Sequence, residues 1–201
     1  DRSPSRGLGD VYKRQGVDQT RGWFYTLHAI AALVFDSVAF KNVVSNGLVL
    51  DKNGEKMSKR KGNVIDPFTT LTTYGADATR WYMISNADPW ENLKFDLEGI
   101  TEVRNKFFGT LFNTYNFFAI YANVDQFKVT NGKNIPIETR PELDRWILSR
   151  LQSLIKEYKI NMDNYEPTLS TRLIERFVND DLSNWHVRLS RRRFWNCLLY
   201  T

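Results

Sequence analysis

A chain of 201 residues that is 42% hydrophobic and 14% aromatic has the apolar content for one or two folded domains, which excludes an intrinsically disordered polymer. Its 28 Lys and Arg against 23 Asp and Glu give a formal charge of +5 and a pI near 9.3, a mild excess that suits an anionic partner such as a nucleic acid or a nucleotide. One cysteine, Cys197, excludes an intrachain disulfide framework and a cysteine-rich metal site. No long apolar run and no charged-then-apolar leader reads as a membrane span or signal peptide, so a cytoplasmic protein without membrane contact is expected.

Residues 1–15 (DRSPSRGLGDVYKRQ) keep no helical or strand period, and residues 196–201 (NCLLYT) form an abrupt apolar tail after a long amphipathic stretch. Both read as translated cloning sequence, a non-native leader and a non-native tail, in which case Cys197 is not native either. Between them the pattern changes near residue 98. Residues 16–98 alternate helix-like and strand-like pieces and residues 99–195 are almost purely helical, so an α/β domain followed by an all-α domain is expected.

Taken in order, residues 21–37 (RGWFYTLHAIAALVFDS) suit a buried helix and residues 43–50 (VVSNGLVL) a buried strand. Asp51-Lys52-Asn53-Gly54 is a turn signal that delivers the chain into a lysine-rich loop. Asp66 offers an N-cap with Pro67 at the first helical position, and Gly75 closes that helix before residues 76–85 open another. Farther on, Val103, Phe107, Leu111, Tyr115 and Phe118 form one apolar stripe. Leu143, Ile147, Leu151, Leu154 and Tyr158 form a second after Pro141, and Leu169, Leu173, Phe177, Leu182, Trp185 and Leu189 a third after Pro167. Such stripes are expected to be bundle core, with residues 127–139 a loop between them.

The sharpest chemical signal is Glu55-Lys56-Met57-Ser58-Lys59-Arg60-Lys61-Gly62-Asn63. Four basic groups and a hydroxyl follow a strand and a turn, so their heads can meet a triphosphate. Charge alone favours a solvated basic loop, and it is the order of the residues and their context that point to a phosphate site. His28, in an apolar helix, and His186, in an aromatic and basic one, complete no catalytic set, and no His, Cys, Asp or Glu cluster has zinc-ligand spacing. The run from Arg188 to Arg193, interleaved with Trp185, Phe194 and Trp195, has the composition of an RNA-facing helix.

Lys56-Met57-Ser58-Lys59 resembles the signature loop of class I aminoacyl-tRNA synthetases, with Arg60 where the usual motif ends in Ser. Gly16-Val17-Asp18-Gln19-Thr20-Arg21-Gly22-Trp23-Phe24 is similar to the GxDQxRGWF segment of the isoleucyl branch, and residues 74–82 and 181–195 resemble the same family. The resemblance runs from Gly16 to Trp195. It implies the C-terminal half of a Rossmann-type class I catalytic domain with its connecting fold over residues 16–98, then the start of a helical-bundle anticodon-binding domain over residues 99–195.

The resemblance also implies roles. Lys59, with Lys56 and Ser58, would act on the phosphates of ATP. Gly16, Asp18 and Gln19 would join Lys59 around ATP or the adenylate, Asp18 accepting from ribose hydroxyls. Gln19 and Trp23, four apart on one helical face, would line the amino-acid pocket. Gln15 stands where the family usually has Glu, so that role is not carried over. Arg188, Arg191, Arg192 and Arg193 would meet tRNA, with Arg80 and Lys94 as further candidates. The implied reaction joins isoleucine to tRNA(Ile) through an adenylate in a monomeric enzyme, with Mg²⁺ arriving on ATP and no protein-bound metal. This segment lacks the His-x-Gly-His half, so it is expected to be an internal fragment, inactive by itself. A valyl- or leucyl-type synthetase, or a non-catalytic RNA-binding module that kept the fold, is the alternative.

Overall fold

The computed structural model describes residues 17–128 and 135–195. The expected leader and tail, Gly16, Cys197 and part of the 127–139 loop lie outside the described residues. The chain falls into two packing units. Among the described residues, one is formed by those up to Ile65 together with Asn86–Asp96, the other by Asp66–Ser85 together with those from Leu97 onward.

In the first unit a 3-10 turn, Val17–Arg21, leads into helix α1, Trp23–Phe35. The helix forms as expected but is not buried: none of its residues is enclosed, and Leu33 is 87% exposed. An apolar helix without a polar face offers no single stripe to bury, and its ring contacts are limited to neighbours such as Phe24 edge-on to Phe40 at 6.0 Å. The expected strand over residues 43–50 contracts to β1, Val49–Leu50, which runs parallel to β2, Leu93–Lys94, in the register Val49 to Leu93 and Leu50 to Lys94. Before Val49 the neighbouring chain turns, with the Glu91 N–H on the Asp88 carbonyl, and the Asn92 side-chain oxygen takes the Leu48 N–H at 2.9 Å. A side-chain acceptor there replaces a ladder bond, so regular pairing starts late. Leu93, Phe95, Gln19 and the carboxylate residue Asp51 are buried in this unit.

In the second unit α2, Pro67–Tyr74, begins as expected: the Asp66 carboxylate accepts the Thr69 N–H at 3.0 Å, Pro67 occupies the first position, and Gly75 ends the helix at φ +90°. Helix α3 is Ala76–Asn86. Helix α4, Leu97–Val103, passes through a π turn, Arg104–Phe108, into α5, Gly109–Val124. Then come α6, Glu142–Asp163, and α7, Pro167–Arg176, which continues through an eleven-residue π stretch, Phe177–Val187, into α8, Arg188–Trp195.

Aromatic stacking at the π turn and capture of a helix end hold these helices together. The turn presents Phe107 and Phe108 together to Trp81, which stacks on the first at 4.5 Å and meets the second edge-on at 5.9 Å. A regular α-helix would point consecutive side chains about 100° apart. Helix α7 then closes the end of α3: the Thr168 hydroxyl donates to the Ile84 carbonyl at 2.8 Å and Arg172 Nε to the Ser85 carbonyl at 2.9 Å. Carbonyls in the last turn of a helix have no partner within it, so these bonds satisfy groups that burial would otherwise penalise.

The third expected stripe is corrected by this packing. Leu169, Trp185 and Leu189 are 47%, 60% and 56% exposed, while Thr168, Ser170, Thr171 and Ser190 are buried. Small residues allow close helix approach, and two of these hydroxyls bond locally, Ser170 donating to the Glu166 carbonyl and Thr171 to those of Pro167 and Thr168, while the buried Ser190 hydroxyl has no hydrogen-bond partner among the described residues. The first stripe holds only in part, with Phe107 buried and Tyr115 exposed.

Gly99 sits against Tyr82, and a Cβ there would lie 2.4 Å from the ring carbon Cε2 of that buried side chain. Helix propensity favours alanine over glycine by about 1 kcal/mol, but overpacking costs about 1–3 kcal/mol. Gly99→Ala is therefore expected to lower the thermal unfolding midpoint read by circular dichroism. A raised midpoint would contradict the Tyr82 contact.

Candidate active site

The basic loop is built on the end of β1. Leu50 bridges antiparallel to Lys56, and the Asp51 N–H donates to the Glu55 carbonyl at 2.9 Å, so residues 50–56 fold back on themselves. Gly54, at φ +84°, closes the turn by donating to the Asp51 carbonyl. Beyond the hairpin, Ser58 caps a 3-10 turn, Lys59–Lys61, with its hydroxyl 3.4 Å from the Lys61 N–H, and Gly62 ends the turn at φ +68°. Lys56, Ser58 and Lys59 therefore stand on one short, bonded segment.

The cations on this segment differ in their partners. Lys61 pairs with Glu55 at 2.9 Å, and that hydrogen bond and charge raise its pKa. Both side chains are exposed, so the pair is weak in solvent. Lys56, Lys59 and Arg60 are exposed and have no acidic partner among the described residues. Three unneutralised cations on one bonded segment have the charge to meet a multiply charged anion.

Two residues that were not among the sequence's site candidates organise the loop. Asp51, 8% exposed, accepts from the Asn53 N–H at 3.0 Å, the Glu55 N–H at 2.8 Å and the Asn63 side-chain amide at 2.9 Å. The other end of the Asn63 amide accepts the Ser58 N–H at 2.8 Å. The Asn63 amide, then the Glu55 N–H, hold the Asp51 carboxyl below its ordinary range, against the opposing effect of burial. The turn signal had already placed Asp51 at the first turn position, where Asp side chains commonly bond to backbone N–H groups just ahead. A partner as distant as Asn63 left no local signal.

At the start of α1, Gln19 is buried and its side-chain oxygen accepts the Trp23 N–H at 3.0 Å, so the amide caps the helix. Trp23 itself is 62% exposed, and Asp18 lies in the preceding 3-10 turn. No hydrogen bond or ion pair joins Gln19 or Trp23 to Lys56, Ser58 or Lys59 among the described residues.

On α8, Arg188, Arg191 and Arg192 are exposed, whereas Arg193 turns inward and donates to Asp144 at 2.7 Å. His186 Nε2 meets the same Asp144 oxygen at 3.1 Å. Burial pushes the Asp144 carboxyl up, but the Arg193 and His186 bonds outweigh it and leave its pKa below the ordinary value. Phe194 packs on Phe117 at 5.0 Å and Tyr121 at 5.7 Å. Arg80 and Lys94 are exposed, and the Lys94 stem lies over Gly54 at the loop turn. His28 is exposed, tilted against Phe40.

A carboxyl with a depressed folded pKa adds stability above its unfolded value of about 3.9 and loses it as pH falls through the lower folded value. Asp51 is expected to titrate below that unfolded value, and the Glu55 amide to stay protected from exchange until the same lower pH. Carboxyl ¹³C NMR checks this, and titration at or above the ordinary value would contradict the three-donor arrangement.

Residues 9–96 match the family of tRNA synthetases class I (I, L, M and V), and residues 144–201 the anticodon-binding domain of tRNA ligase. Isoleucine–tRNA ligases of Bacteroides fragilis and Bacteroides thetaiotaomicron are 65% and 66% identical over 90% of the chain, and that of Thermus thermophilus 48% over the same share. The chain spans 16% of the length of the two Bacteroides relatives and 17% of the Thermus one. Among solved structures, the Agrobacterium radiobacter K84 agnB2 LeuRS–tRNA–LeuAMS ternary complex matches with a TM-score of 0.63 at 20% identity, covering 85% of this chain and 21% of that one, a likeness of fold alone. With a class I match over the loop and an anticodon-binding match over the helices, the chain belongs to the class I tRNA synthetase family.

Proposed function

We propose that this chain is a segment of an isoleucine–tRNA ligase that activates isoleucine with ATP and transfers it to tRNA(Ile), as a monomer in the cytoplasm. The reading rests on the tethered loop, with Lys56, Lys59 and Arg60 unneutralised among the described residues, in a chain 65% identical to such a ligase. Residues 16–98 would form the later half of a Rossmann-type catalytic domain with its connecting fold. Residues 99–195 would open the anticodon-binding bundle, and the two end segments would be foreign to the protein.

In this reading an isoleucine carboxylate oxygen attacks the α-phosphorus of ATP. The bond from that phosphorus to the bridging oxygen breaks, and pyrophosphate leaves with the electron pair. A hydroxyl of the terminal tRNA adenosine then attacks the acyl carbon, releases AMP and gives up its proton. Negative charge grows on the β and γ oxygens during the first step, so Lys59 and Lys56 stabilise the transition state more than bound ATP. Ser58, through its cap, keeps Lys59–Lys61 in a turn. Mg²⁺ would arrive on the ATP phosphates as part of the substrate and would neutralise part of their charge.

Gly16 and Asp18 would take the adenosine side, Gln19 the polar end of the amino acid, and Trp23 its side chain. The exposed Arg188, Arg191 and Arg192 would meet tRNA phosphates. Arg193, anchored on Asp144, would set the pose of α8 beneath them.

The complete ligase carrying this segment is expected to exchange labelled pyrophosphate into ATP only when isoleucine is present. Absence of exchange with every amino acid would overturn the enzymatic reading. Exchange favouring valine or leucine would overturn the isoleucine assignment alone.

A further inference from the structure

Asn63 spans the basic loop from one side to the other. Its amide nitrogen donates to the Asp51 carboxylate at 2.9 Å and lies 3.4 Å from the Lys56 carbonyl, while its oxygen accepts the Ser58 N–H at 2.8 Å. The orientation of the amide is forced, because Ser58 offers a donor and Asp51 requires one. Asp51 is in turn fixed by the Asn53 and Glu55 N–H groups and by its place after β1. The backbone at both Lys56 and Ser58 is thus referred to one buried carboxylate, whereas the side chains of Lys56, Lys59 and Arg60 stay exposed.

We propose that Asp51 and Asn63 are positioning residues, an amide–carboxylate latch that sets where the turn carrying Ser58 and Lys59 stands relative to β1, and so where its cations meet the ATP phosphates. This deepens the ligase reading and rests on it. Neither residue touches substrate. The latch acts by holding the loop in the one arrangement from which Lys59 meets the growing charge, and a small misplacement there costs rate more than binding.

The test exchanges the two side chains. In D51N two amide nitrogens face each other, unless the Asn63 amide flips and deprives the Ser58 N–H of its acceptor. In N63D two carboxylates face each other. In D51N/N63D the oxygen at position 51 still accepts from Asn53 and Glu55, the new amide nitrogen donates to the carboxylate at 63, and the other oxygen there still accepts from Ser58. Each variant is measured in the complete ligase, by isoleucine-dependent ATP–pyrophosphate exchange and by amide hydrogen exchange at Ser58 and Glu55.

Each single variant is expected to lower kcat about tenfold or more with the KM for isoleucine nearly unchanged, and to speed exchange at Ser58. The double variant is expected to recover most of both losses. Additive losses in the double variant, or an isoleucine KM that rises in step with the fall in kcat, would overturn the latch. If the unaltered ligase shows no exchange while Ser58 protection follows the swap, the latch stands as the loop's anchor and the ligase reading fails, so its assignment to ATP positioning is overturned.

Discussion

A carboxylate removed from water must find hydrogen-bond donors, and Asp51 finds three, from Asn53, Glu55 and Asn63. That requirement shapes the first unit. It returns the chain along β1, closes the turn at Gly54 and draws in Asn63, which carries the same constraint to the Ser58 N–H. The basic turn is therefore not a charged tail that folds on contact with an anion. Its backbone is bonded to a strand end, while the side chains of Lys56, Lys59 and Arg60, which would meet phosphate, stand in solvent.

The second unit solves a different problem, the open end of a helix. The last carbonyls of α3 are taken by Thr168 and Arg172 on α7, and the neighbouring Trp81 is clamped between the π turn and Glu175, its indole N–H donating to that carboxylate. Removing the Thr168 hydroxyl would take its bond from the Ile84 carbonyl, a cost of about 0.5–1.5 kcal/mol. Helix α8 is fixed by a polar device, Arg193 and His186 on one Asp144 oxygen, with Phe194 on Phe117. The arginine that anchors the helix and those left exposed are neighbours in sequence, and composition does not separate them.

What was legible in the sequence had a local cause. The Asp66 cap, Pro67 and Gly75 each act within a few residues, and the structure shows them as read. The strand over residues 43–50 was overextended because its pairing depends on where residues 88–92 turn, which no local pattern records. The Leu169 stripe misled because hydroxyl residues, counted as polar, bury readily once they bond to their own helix carbonyls. An apolar helix such as α1 carries no face preference, so its exposure could not be read. For the site, residue order marked Lys56, Ser58 and Lys59, while the Asp51–Asn63 bond joins residues twelve apart and shows only once the loop is folded.

The central claim is that the loop stabilises charge that appears in the transition state, with Lys59 its principal cation. Single-turnover formation of the adenylate in the complete ligase, with and without Lys59→Ala, tests it most directly. A rate lowered by about two orders of magnitude or more, with the isoleucine dissociation constant changed less than about threefold, is the predicted result. Loss of isoleucine affinity equal to the loss of rate would contradict it.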